Sequence, residues 1–149
     1  MRVALDSNIV LYAEDINDAA RCKLALATID LLRAAGTEIV LPVQVLGEVL
    51  AVLQRKSGRP RDQGRASLLG WLNVVETVPT TAAVMVRAAD ISVDHQLAVW
   101  DCVILAAASE AKCCLLLSED MQDGFCWGGV TLINPFIPAS QARLEQIIA

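Results

Sequence analysis

The sequence predicts an α/β domain built on a largely parallel sheet. Short apolar runs rich in Val, Ile and Leu recur along the chain, and longer stretches with apolar residues at helical spacing lie between them. The 149 residues are 55% hydrophobic but only 4% aromatic, so one mainly aliphatic core is expected in a single domain over 1–149. No internal repeat, low-complexity tract or long linker divides the chain.

The elements follow in order. Residues 3–5 are a short apolar run closed by Asp6 and read as a strand. Residues 18–35 read as a helix, with Asn17 or Asp18 as cap and Gly36 as stop. Residues 39–41 form a second strand, and Pro42 is expected to open the next helix at its first position. That helix runs to about Lys56, where Ser57, Gly58 and Pro60 break it. A helix over 62–72 leads to a third strand at 74–78, ended by Pro79. Helices over 82–91 and 101–111 come next, with no assignment for the residues between them. Residues 114–117 and 130–133 are the fourth and fifth strands, and 138–148 a last helix.

Composition narrows the chemistry. Mean hydropathy is +0.49, yet no apolar run approaches the roughly 18 residues of a membrane span, and the start MRVALDSN is unlike a signal peptide. Five cysteines, odd in number and without a Cys-x-x-Cys pair, fit neither a disulfide framework nor a zinc site. The expectation is a soluble, cytoplasmic protein with no membrane attachment. Formal net charge is −5, which by itself disfavours general nucleic-acid binding, but Arg55, Lys56, Arg59, Arg61 and Arg65 gather within one short segment.

The acids are the informative residues. In open α/β sheets ligands collect at the carboxyl ends of the strands. Asp6 ends the first strand, Glu48 lies on the helix after the second, Asp101 begins the helix before the fourth, and Glu119 and Asp120 follow the fourth. Each has a plainer reading: Asp6 as a turn residue, Asp101 as a helix cap, Asp123 as half of an Asp-Gly turn. Glu48 resists one. Its helical neighbours Gln44, Val45, Ala51 and Val52 include no base, and it sits at the margin of an apolar face, so it needs a partner from elsewhere. A hard divalent cation suits such a set of oxygens. One histidine, His95, leaves no histidine-rich zinc site, and no glycine-rich phosphate loop is present.

Four stretches resemble the PIN-domain ribonucleases, in particular the VapC-type toxins of bacterial toxin–antitoxin pairs. They are ALDSNIVLY, VQVLGEVLAVL, AVWDCVILAAA, and LLLSEDMQDG followed by GVTLINPF. Together they cover nearly the whole chain in the family's order. The resemblance implies a PIN-like three-layer sandwich, with a central parallel five-stranded sheet flanked by helices. It implies Mg²⁺ or Mn²⁺ held by Asp6, Glu48, Asp101 and Asp120, with Asp123 assisting and Glu119 pointing to solvent. Ser7 replaces the family's usual Thr and keeps the hydroxyl. Asn8 and Ser118 support the ligands by hydrogen bonds. The activity implied is endoribonuclease cleavage of RNA leaving a 5′-phosphate and a 3′-hydroxyl, in a homodimer inhibited by a cognate antitoxin. Arg55, Lys56, Arg59, Arg61 and Arg65 would contact RNA phosphates or the antitoxin's acidic groups.

Two other functions fit the same acids: a different metal-dependent phosphohydrolase or DNA nuclease, and a non-catalytic binding module. A receiver-type signalling domain is excluded, because the middle strand ends in Pro79 with no Asp to phosphorylate.

Overall fold

The computed structural model describes residues 1–55 and 58–149. Along the chain come β1 (Arg2–Leu5), α1 (Ser7–Ala13), α2 (Ala19–Ala34), β2 (Glu38–Pro42), α3 (Val43–Arg55), α4 (Arg61–Leu72) and β3 (Glu76–Val78). Then follow α5 (Ala82–His95), α6 (Val99–Glu110), β4 (Leu115–Leu117), β5 (Cys126–Trp127), β6 (Val130–Ile133) and α7 (Pro138–Ile148).

The sheet has the order β3-β2-β1-β4-β6-β5. The five strands read from the sequence are all parallel, and β5 adds a sixth, antiparallel to β6. β1 lies at the centre, with Val3 and Ala4 beside Ile39 and Val40 on one flank and beside Leu115 and Leu116 on the other. Strands covered on both faces need no polar alternation, which is why β1, β2 and β4 are continuous aliphatic runs. The core is correspondingly aliphatic: Leu5, Leu41, Ile104, Leu105, Leu116, Leu117, Leu132 and Ile133 are all enclosed. α6 is buried along Cys102–Ser109 and forms the central helix.

Several boundaries differ from expectation. Pro42 does not open α3; it is the last, buried residue of β2, and the helix starts at Val43. Asp18 is the cap of α2, its side chain accepting from the Arg21 N–H. α1 was not anticipated. It is a seven-residue helix whose cap is Asp6, so the acid that closes β1 also starts a helix. α5 runs on to His95, and Gln96 then takes a left-handed conformation (φ 55°). Asp101 is not a cap, since α6 is preceded by Ala98 and Asp101 stands in its first turn. No described helix is long and apolar enough to cross a membrane.

The β5–β6 hairpin turns on Gly128 and Gly129, both at positive φ (57° and 81°), the backbone of a two-residue turn that matches strand twist. Gly128 is also packed: a Cβ there would stand 2.5 Å from Ser109 Oγ. Gly128→Ala therefore combines backbone strain with a clash, and urea unfolding is expected to show a loss of about 1–3 kcal/mol. Unchanged stability would mean the turn is not held against α6.

Candidate functional site

The site grows from the carboxyl end of β1. The Asp6 N–H donates to Leu117 O (2.9 Å), which sets the ends of β1 and β4 side by side. The Asp6 side chain is only 3% exposed. One of its oxygens accepts from the Ser7 N–H (2.7 Å), and the other from Ser118 Oγ (2.6 Å) and Asn8 Nδ2 (3.2 Å). All three donors are neutral. Burial pushes its pKa up to about 6. The Ser118 and Ser7 hydrogen bonds work against that rise, and the neighbouring Asp101 and Glu48 charges add to it.

The other acids converge from separate segments. Glu48, from α3, finds its distant partner in Ser7, whose Oγ donates to it at 2.7 Å, and Gln44 one turn earlier donates to its other oxygen at 2.9 Å. Asp120 accepts from Asn8 Nδ2 at 3.2 Å, so one amide links the first and last acids. Asn8 Oδ1 in turn accepts from the Glu119 N–H (3.1 Å), and Ser118 Oγ accepts from the Asp120 and Met121 N–H groups (3.2 Å each). Asn8 and Ser118 thus hydrogen-bond both to acid side chains and to the backbone after β4. Asp101 is pushed up by burial, then by the charges of Asp120 and Glu48. Among the described residues its carboxylate receives no hydrogen bond, and none of the four acids joins an ion pair.

Two further acids are occupied elsewhere. Glu119 does not point to solvent. Tyr12 Oη donates to one of its oxygens and Arg21 Nε to the other, each at 2.5 Å. The Tyr12 hydroxyl is pushed up to about 12, by burial first and then by Glu119. Arg21 lies near the Tyr12 and Phe136 rings, which pack edge to face. Asp123 turns toward α7 and accepts from Asn134 N–H (2.8 Å), Ser140 Oγ (2.7 Å) and Arg143 Nη2 (3.1 Å). Burial raises its pKa, but these partners together hold it below the ordinary range.

The basic cluster is divided. Arg59 is paired with Glu14 at 2.9 Å, an acid that also accepts from Ser67 Oγ and Trp71 Nε1. This contact ties α4 to the end of α1. Arg55, Arg61 and Arg65 are exposed, and Arg61 and Arg65 edge a cavity of about 340 Å³ between α3 and α4, walled by Leu50 and Leu68. Lys56 lies outside the described residues.

Hard oxygens and neutral supports, with no ion pair to any of the four acids among the described residues, fit a divalent cation in kind. Among the described residues, no three of Asp, Glu, His or Cys form a ready-made cage. The site is therefore an open acidic basin, in which an ion would keep part of its water, as magnesium commonly does.

A parallel α/β sheet with acids from four segments at its carboxyl edge defines a class of acid-centred α/β domain. Within it, the chain belongs to the PIN domain family, whose model matches residues 3–122. Comparison with curated proteins gave no match. Among solved structures, VapBC2 from Rickettsia felis bound to a promoter DNA fragment is similar at a TM-score of 0.66 and 17% identity, covering 89% of this chain and 97% of that one. VapC20 of Mycobacterium tuberculosis, a sarcin-ricin-loop-cleaving toxin, is similar at 0.62 and 20%, covering 76% and 86%. A toxin–antitoxin complex from Klebsiella pneumoniae is similar at 0.66 and 16%, covering 90% and 98%. At these identities the likeness is one of fold.

The buried Asp6 makes stability depend on pH. Its folded pKa of about 6 lies above the ordinary 3.8, so between those values the folded protein binds a proton that the unfolded chain has released. Stability is thus fully present below about pH 4 for this group and is lost as pH rises through 6, by about 3 kcal/mol in all. Thermal melts of metal-free protein are expected to fall in Tm between pH 5 and 7.5, and Asp6→Asn to flatten the decline. Equal slopes in the two proteins would contradict the assignment.

Proposed function

We propose that this protein is a metal-dependent endoribonuclease that hydrolyses RNA phosphodiester bonds and serves as the toxin of a toxin–antitoxin pair. The reading rests most on one observation: Asp6, Glu48, Asp101 and Asp120 gather at one sheet edge with only neutral donors among them. Membership of the PIN family and the toxins among its structural relatives support the substrate and the setting.

The four acids would hold Mg²⁺ or Mn²⁺, both of which favour oxygen ligands. Such an ion, when bound, polarises a phosphoryl oxygen and lowers the pKa of a water. The chain's own residues divide the remaining work. Asp6 is fixed by Ser7, Asn8 and Ser118, and Glu48 by Ser7 and Gln44. Asp101, free of protein donors among the described residues and raised in pKa, would orient the attacking water and accept its proton at a carboxylate oxygen. Asn8 keeps Asp120 in register with Asp6. Asp123, satisfied by α7, is left out of the ligand set.

Arg55, Arg61 and Arg65, all exposed, would supply phosphate contacts, which would allow a chain of net charge −5 to bind RNA. The same basic rim, with Leu50 and Leu68 in the cavity between α3 and α4, suits an acidic, aliphatic antitoxin segment. A homodimer belongs to this reading, with the exposed Met85, Val86 and Val93 of α5 as apolar surface for it. A cytoplasmic setting agrees with five free cysteines.

Purified protein should cleave single-stranded RNA in Mg²⁺ or Mn²⁺ and not in EDTA, and should leave DNA and nitrophenyl phosphates intact. Asp6→Ala should abolish cleavage. Asp101→Asn should lower kcat by about 100-fold or more, and Asn8→Ala by about 10- to 100-fold through the loosened acids. Cleavage that persists in EDTA, or in Asp6→Ala, would refute the reading.

A further inference from the structure

We propose that Trp100 is a stacking platform for a nucleobase of single-stranded RNA held at the acidic basin. The proposal rests on the nuclease reading and specifies how its substrate is gripped.

Of the three tryptophans, two already have partners. Trp71 donates to Glu14 at 2.9 Å, and Trp127 lies under the Arg87 guanidinium, 4.8 Å from ring centroid to cation. Both are half-buried. Trp100 is 55% exposed and has no ring contact or hydrogen bond of its side chain among the described residues. An indole left in water forgoes the burial that usually places this residue inside.

Its position gives the exposure a purpose. Trp100 stands in the first turn of α6, immediately before Asp101, whose carboxylate faces Asp120 and Glu48. The two are consecutive in one helical turn, so their side chains leave the helix about 100° apart and the ring stands to one side of the acid. A phosphodiester at the basin would bring an adjacent base to the ring. Leu97, Ala98 and Val99 before it carry no charge, and Val99 is itself exposed, so an apolar stretch leads up to the ring. Stacking of this kind accepts every base, since each has a π-face. It would also add affinity that the exposed arginines, confined to phosphates, do not provide.

The test compares wild type, Trp100→Phe and Trp100→Ala on a single-stranded RNA, and on the same RNA with abasic positions around the cleavage point. Trp100→Ala is expected to raise KM about tenfold with kcat little changed, Trp100→Phe to stay near wild type, and the abasic substrate to erase the difference. Trp100→Phe should keep Tm near wild type, since it preserves a ring over the surface the indole covers. RNA should quench wild-type tryptophan fluorescence, and Trp100→Phe should remove that quenching while retaining affinity. Cleavage by wild type with KM unaltered in Trp100→Ala overturns the stacking role alone. Quenching at Trp100 without cleavage of any RNA retires the nuclease reading and keeps the stacking site. A Trp100→Ala protein that changes oligomeric state in sedimentation, with equal loss on normal and abasic RNA, assigns the ring to contact between copies and overturns the proposal.

Discussion

The arrangement depends on one buried carboxylate held without a countercharge. Asp6 ends the central strand, caps the first helix, and is gripped by the hydroxyl of Ser118, the amide of Asn8 and the backbone of Ser7. Each of these contacts does two jobs. Ser118 fastens the turn after β4 to the end of β1, and Asn8 fixes both Asp120 and the Glu119 backbone. Ser7, through its hydroxyl, reaches Glu48 on another helix. A charged partner would have neutralised Asp6; neutral donors position the carboxylate without pairing its charge.

Cations are present nearby, but they are committed to acids outside the basin. Arg21 is engaged by Glu119 and Asp18, Arg59 by Glu14, and Arg143 by Asp123. The Arg21–Glu119 and Arg143–Asp123 pairs join α2 and α7 to the segment after β4, and Arg59–Glu14 joins the segment before α4 to the end of α1. As half-exposed bridges they are worth little stability each, and their larger effect is to sort the acids. Those that meet an arginine become fasteners, and the four at the sheet edge meet only neutral donors or, for Asp101, none among the described residues. Glu119 and Asp120 illustrate the division, adjacent in sequence and opposite in fate.

Much of this was legible in the sequence. Strands β1, β2, β4 and β6 announce themselves as aliphatic runs because both faces of the sheet are covered, and Asp6 and Asp120 are found just past the ends of β1 and β4. Glu48 could be singled out because no base stood one helical turn away, and the structure supplies the missing partner from Ser7. What escaped notice was short or long-range. α1 hides behind Asp6-Ser7-Asn8, which reads as a turn, and its buried Ile9 and Val10 are β-branched residues that suggest strand rather than helix. β5 is two residues long, too brief for any pattern to register. Pro42 fits a helix start as well as a strand end, and only its parallel pairing with Val78 decides between them. The ties of Glu119 to Arg21 and of Asp123 to Ser140 and Arg143 span distances along the chain over which no local spacing carries information.

The central placement of β4 has a consequence for the order in which the protein is made. Its acids come from positions 6, 48, 101 and 120, and the strand leading to the last of them sits between β1 and β6, near the middle of the sheet. A nascent chain that has emerged only as far as α5 possesses Asp6 and Glu48 but lacks Asp101, Asp120 and Ser118, whose hydroxyl helps hold Asp6 in place. The basin is therefore not a local feature that matures piece by piece during translation. It comes into being only when β4 enters the sheet, and a product truncated after α5 carries half of the acids without the hydroxyl that helps fix the first of them.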